Sequence, residues 1–311
     1  MSDPEDVLAA GGNKPGAAAN LAVVAGDALA PDGPALRGPS RRRGGADGPA
    51  RRGGGAPFGF VPLAVLAVVF LALPLAALVI RAPWTHLLSD LAAPGVLTAL
   101  RLSLVCSLGA LAVSLVLGVP LAWLLARTRF RGRNLVRAVV LLPMVLPPVV
   151  GGVALLLAFG RNGVAGQVLD HAFGVTLPFT TMGAIVAEAF VAMPFVVITV
   201  EAGIRAMDRR YEDAAATLGA GRWTVFRRVT LPLIAPALGA GAALGWARAL
   251  GEFGATITFA GNLPGSTQTM PLAVYLALQN DPDSAIALSL VMLAICLTVL
   301  VALRGRWFPS R

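Results

Sequence analysis

The sequence predicts an all-α polytopic membrane protein with six transmembrane helices, on three observations. Of the 311 residues, 57% are hydrophobic and 13% charged, about half the charged share of a soluble domain. Six apolar runs, near 58–80, 97–126, 136–159, 181–204, 233–259 and 284–303, approach or exceed the length that crosses roughly 30 Å of hydrocarbon as helix. The arginines fall almost entirely on one set of alternate connections between those runs.

Each element follows from its residues. Residues 1–56 are rich in Gly, Ala, Pro and Arg with almost no aromatics, too little to offset the entropy of ordering, and read as a disordered cytoplasmic tail. Residues 57–311 then form the transmembrane domain. Between Arg37 and Arg52 the tail holds six arginines and one acid, Asp47, a pattern suited to an anionic membrane face. The second run is long enough to tilt or to begin outside the bilayer. Pro74, Pro143, Pro147, Pro148 and Pro194 fall inside the runs, where neighbouring helices can satisfy the freed carbonyls.

Orientation comes from charge. One side holds the tail cluster, Arg127, Arg129, Arg131, Arg133, Arg137, Arg205, Arg209, Arg210, Arg222, Arg227, Arg228, Arg304, Arg306 and Arg311. The other holds Arg81, Arg101 and Arg161. The positive-inside rule places the first side, with both termini, in the cytoplasm of a bacterial or archaeal cell membrane. The net charge of +9 is thus a matter of topology, and no nucleic-acid partner is expected. Cys106 and Cys296 sit in apolar runs, and His86 and His171 lie far apart. Neither pair offers a disulfide framework, a metal site or a catalytic constellation.

The segment "YEDAAATLGAGRWTVFRRVTLPL", 211–233, is polar and glycine-broken between two apolar runs, and the loop it belongs to covers 205–232. Asp208 can cap a short helix whose first turns carry Glu212 and Asp213, favourable at a positive helix N-terminus. Ala214, Ala215 and Ala216 keep that helix slender, and Gly219 can end it in the left-handed conformation. A second short helix places Trp223, Phe226 and Val229 on one stripe. Amphipathicity alone would allow a loop lying on the lipid surface.

The order Asp213-Ala214-Ala215, three residues, Gly219, nine residues, Val229-Thr230-Leu231-Pro232 resembles the EAA loop of ABC importer permeases, with Asp for Glu and Val for Ile. What the resemblance implies is a coupling helix around Glu212, Asp213, Ala214, Ala215, Leu218 and Gly219, docking on a separate ATP-hydrolysing subunit. The chain has one lysine, Lys14 in "GGNKPG", and no Gly-x-x-x-x-Gly-Lys-Ser/Thr loop. It is therefore expected to be no enzyme and to bind no cofactor, with ATP used by the partner.

The stretch "ARALGEFGATITFAGNLPGSTQTMPLAVY", 247–275, is similar to the molybdate branch of the sulfate/molybdate permeases, a type I ABC importer permease fold. The resemblance covers roughly 97–303 and centres on the later five runs, which implies that the first is peripheral. It implies two copies of the chain, two ATPase subunits and an extracytoplasmic molybdate-binding protein, with molybdate or tungstate carried inward. Sulfate and thiosulfate permeases share much of Leu250-Gly251-Glu252 and remain the alternative.

A tetrahedral dianion crossing a membrane needs hydrogen-bond donors in place of water. Thr256 and Thr258 in the fifth run, and Asn262, Ser266, Thr267, Gln268 and Thr269 beyond it, supply uncharged donors. Each could equally bond its own backbone. Arg248 and Glu252, four apart on one helix face, are either path residues or a neutralising pair that serves packing. Glu188 has no sequence-local partner, and Arg248 across helices is one candidate. Gly241 and Gly245 permit close helix contact, and Gly251 and Gly254 could loosen the helix at a gate. A lone ion-coupled transporter would instead call for inverted repeats, and none is visible.

Overall fold

The computed structural model describes residues 60–307 except 88, 90 and 91. The expected tail, 1–56, lies outside the described residues. The chain divides into Met1–Pro57 and Phe58–Arg311, and every described helix belongs to the second unit. No strand occurs among the described residues.

Four of the six expected spans are single helices: α1 (Phe60–Ile80), α2 (Pro94–Arg127), α6 (Thr181–Ala206) and α12 (Pro282–Trp307). At 34 residues α2 is about 50 Å long, well beyond the hydrocarbon thickness. Pro74, Pro120 and Pro194 are carried within these helices without ending them. Asp281 starts α12 abruptly, its carboxylate accepting from the Ser284 amide and hydroxyl while Pro282 takes the first helical position.

The other two expected spans are not continuous, which corrects the sequence reading. The third divides into α3 (Arg133–Val145) and α4 (Pro148–Phe159). Leu146 and Pro147 between them are extended, because each precedes a proline and is pushed out of the α region. The short α5 (Gly166–Phe173) follows. The fifth divides into α9 (Ala235–Leu250) and α10 (Gly254–Phe259), broken where Gly251 and Gly254 give the backbone its weakest helix propensity. Pro232 sits in the last turn of α8 (Arg222–Leu233), which meets α9 at a 73° bend. Pro236 in the first turn of α9 has no N–H to continue the ladder across that bend. α8 also contains a π turn over Phe226–Thr230.

α6 is the axis of the packing, lying against both α2 and α9. Ala122, Leu125, Val196, Val200, Ile204 and Ile234 form the largest buried cluster at one end, and Ala110, Ala189, Ala192 and Ala249 continue it. Small residues bring the backbones close. A Cβ at Gly245 would stand 2.8 Å from Val196 Cγ2, and one at Gly241 3.2 Å from Thr199 Cβ. By contrast α1 buries no residue and touches only α12 appreciably, the peripheral position expected of the first run. α11 (Met270–Asn280) packs on α12 and α2.

Candidate functional site

Two regions hold the residues singled out from sequence, at opposite ends of the bundle. The arginine-rich end gathers the turn after α2 and the loop after α6, joined by ion pairs from Arg127 to Glu212 and from Arg137 to Glu201. The other end gathers the segments before α6 and after α10. There the Thr181 hydroxyl donates to Ser266 O at 2.8 Å and the Phe179 amide to Phe259 O.

At the first end, α7 (Arg210–Thr217) starts where the Asp208 carboxylate accepts the Arg210 amide at 3.0 Å. It stops in a paired C-cap. The Gly219 amide donates to Ala216 O and the Ala220 amide to Ala215 O, with Gly219 at φ 82°. Asp213, Ala214, Leu218 and Gly219 are exposed, Leu218 by 88%. Ala215 and Glu212 are half-buried.

Glu212 faces back into its own chain. Its Oε2 pairs with Arg127 Nε at 2.9 Å and its Oε1 accepts the Thr230 hydroxyl at 2.7 Å. One carboxylate thus ties α7 to the last residue of α2 and to α8. The side chains of Arg127 and Glu212 are 8% and 17% exposed, so this is a largely desolvated pair. Trp223 and Phe226 of α8 stack with ring centroids 5.6 Å apart.

Around the break between α9 and α10, Arg248 Nη1 pairs with Glu252 Oε2 at 2.5 Å, and Glu252 Oε1 accepts the Ala255 amide at 2.8 Å. The fully buried Glu252 therefore accepts from the first turn of α10 as well as pairing with Arg248. α10 crosses α4 closely: a Cβ on Gly152 would lie 2.6 Å from Thr258 Cβ. The Thr258 hydroxyl is spent on Gly254 O, and Thr267 Oγ1 accepts the Leu263 amide. By contrast the Thr256 and Thr269 hydroxyls, Asn262 Oδ1 and Glu188 Oε2 are buried without a hydrogen-bond partner. Among the described residues, no ion pair joins Glu188 to Arg248.

Sequence reasoning missed three features. Arg127 was counted only towards orientation, and nothing local in sequence couples it to Glu212, 85 positions on. Glu201, buried near the end of α6, holds both Arg137 and Arg205; the Glu201–Arg205 spacing of four was a legible signal. Ser103, Ser107 and Ser114 form a buried polar stripe on α2. There Ser103 accepts the Met270 amide, Ser107 accepts the Trp246 indole N–H, and Ser114 donates to Ala189 O.

Comparison with known proteins agrees with this architecture. Residues 114–311 match the family described as "Binding-protein-dependent transport system inner membrane component". The Molybdenum transport system permease protein ModB of Mycobacterium tuberculosis is 45% identical over 243 residues, 78% of this chain and 92% of that relative. The Sulfate transport system permease protein CysT of Escherichia coli is 40% identical over 237 residues, covering 75% and 85%. Among solved structures, a bacterial alginate ABC transporter in complex with its alginate-bound periplasmic protein superposes with a TM-score of 0.65. It is 19% identical and covers 79% of this chain and 91% of that one. The fold is that of a type I ABC importer permease, and the chain belongs to the family of binding-protein-dependent transport system inner membrane components.

Proposed function

We propose that this chain is the membrane-spanning permease subunit of an ATP-driven importer that carries molybdate, or the chemically similar tungstate, into the cytoplasm. The observation that carries the reading is the presentation of α7. It is a slender helix with Asp213, Ala214, Leu218 and Gly219 open to a partner, and it is tied by Glu212 to α2 and α8. The substrate reading is supported by the 45% identity to a molybdenum permease, against 40% for a sulfate permease.

In this reading two copies of the chain enclose the path, two ATPase subunits seat their clefts on α7, and an extracytoplasmic binding protein delivers the ion. The arginine-rich end and both termini face the cytoplasm. ATP binding draws the ATPases together and moves α7. The Glu212 carboxylate passes that displacement to α2 through Arg127, and the backbone passes it through α8 to α9. The break at Gly251–Phe253 lets α10 move relative to α9, where the free hydroxyls of Thr256 and Thr269 replace water around the oxyanion. The chain itself breaks no covalent bond.

The substrate is tested by competition in proteoliposomes holding the chain, its ATPase and its binding protein. Labelled molybdate uptake should fall with added tungstate and persist with equal sulfate. Stronger competition by sulfate would move the chain to the sulfate branch.

A further inference from the structure

The arginines at the α7 end carry a charge excess that the fold concentrates rather than disperses. Arg129, Arg133, Arg137 and Arg205 all lie close enough to Glu201 or to one another to interact electrostatically around Arg133. Glu201 is the single acid in that group, and it is committed to Arg137 and Arg205. Asp208 and Glu212, the next acids along the loop, are committed elsewhere, Asp208 to Arg210 and Glu212 to Arg127 and Thr230. Around Arg133, three further guanidiniums are therefore set against the one carboxylate of Glu201.

The arrangement is held in place. Arg133 Nη2 donates to Leu125 O, at the end of α2, and Arg133 Nε is out of water without a hydrogen-bond partner. Loss of hydration, and then repulsion from Arg205 and Arg137, holds the Arg133 guanidinium below the ordinary arginine pKa. Like charges kept together in this way favour an anion that bridges them. Beside them Arg129, Phe130, Gly132, Arg133 and Asn134 line an open recess of about 300 Å³, the liquid volume of roughly ten waters. It sits where the chain turns from the end of α2 into the start of α3.

We propose that this recess is a binding site for a tetrahedral phosphate-type oxyanion, held by the Arg129 and Arg133 guanidiniums with Arg137 and Arg205 behind them. An anionic phospholipid headgroup and a free oxyanion in solution share this chemistry, and the experiment separates them. Guanidinium forks match tetrahedral oxyanions through paired N–H···O bonds, which a zwitterionic headgroup offers less favourably.

The test uses the purified full-length chain in detergent, read by melting temperature and by native mass spectrometry. The additions are phosphatidylglycerol, phosphatidylcholine and inorganic phosphate. The variants are Arg129→Gln, Arg129→Gln/Arg133→Gln, and Arg209→Gln/Arg210→Gln as a control among arginines outside the recess. Arg129 is exposed, so its single substitution leaves the fold intact even if the Arg133 variant does not assemble. A saturable rise of about 3 °C or more with phosphatidylglycerol, smaller with phosphatidylcholine and reduced in both recess variants alone, supports the site with lipid as its source. The same variant-sensitive rise with inorganic phosphate supports the site with a free ion as its source. No rise with any addition, or a rise equal in recess and control variants, overturns it.

Discussion

Glu212 and Arg127, 85 positions apart, form a largely desolvated ion pair at 2.9 Å that joins the exposed helix α7 to the end of α2, the longest of the described helices. The second oxygen of the same carboxylate holds Thr230. The exposed face of α7 is thereby connected to a core helix long enough to cross a membrane.

Removing either charge leaves the other buried without its partner. Glu212→Gln and Arg127→Gln should each cost about 1–3 kcal/mol, the desolvation penalty of a buried polar group left without its partner. Each should reduce ATP-driven uptake more than it reduces ATPase binding. The exchanged pair, Arg127→Glu with Glu212→Arg, should recover part of the loss. Uptake and pull-down of the ATPase on the same preparations check this. Equal losses in both readouts would assign Glu212 to docking instead.

Gly219 stands at φ 82° with open space around the position of a Cβ, so substitution there strains the backbone rather than the packing. Gly219→Val should cost about 1–2 kcal/mol, the penalty of a left-handed non-glycine residue. Gly219→Asn should cost distinctly less, because its side chain tolerates that conformation. Thermal unfolding of the purified chain, compared with uptake, measures the difference.

Gly245 is a packing position. The Cβ of Gly245→Ala would press on Val196 Cγ2 at 2.8 Å and should destabilise by about 1–3 kcal/mol. Val196→Ala removes that methyl, so the double variant should be more stable than the sum of the two single losses. A double-mutant cycle in unfolding free energy should show a coupling of about 0.5–3 kcal/mol.

Thr256 and Thr258 lie two positions apart yet differ in what their hydroxyls do. Thr258 bonds its own helix carbonyl, whereas Thr256 is fully buried with no partner. Thr256→Val should therefore leave stability nearly unchanged, since an unpaired hydroxyl gives way to a methyl of the same shape. It should impair oxyanion uptake. Thr258→Val should leave uptake near the wild-type level. Uptake kinetics on both variants decide the matter.

Much of this was legible in sequence because it depends on short-range pattern. Apolar length located α1, α2, α6 and α12, and the spacing from Asp208 to Gly219 located both ends of α7. The division of the third and fifth spans was harder to read. Pro147-Pro148 and Gly251–Gly254 were visible, but membrane helices elsewhere in this chain carry Pro74, Pro120 and Pro194 unbroken. Whether a proline or glycine breaks a helix depends on what its neighbours satisfy, and that is a tertiary property. The Arg127–Glu212 and Arg137–Glu201 pairs join residues 85 and 64 positions apart, and no local periodicity announces them.

The most direct test is ATP-dependent molybdate uptake into liposomes holding the chain with its ATPase and binding protein, beside liposomes lacking the ATPase and liposomes carrying Gly219→Leu. The expected result is uptake in the complete system alone, reduced severalfold by Gly219→Leu. Molybdate accumulation by the chain without any ATPase would contradict it and make the protein a transporter driven by another source.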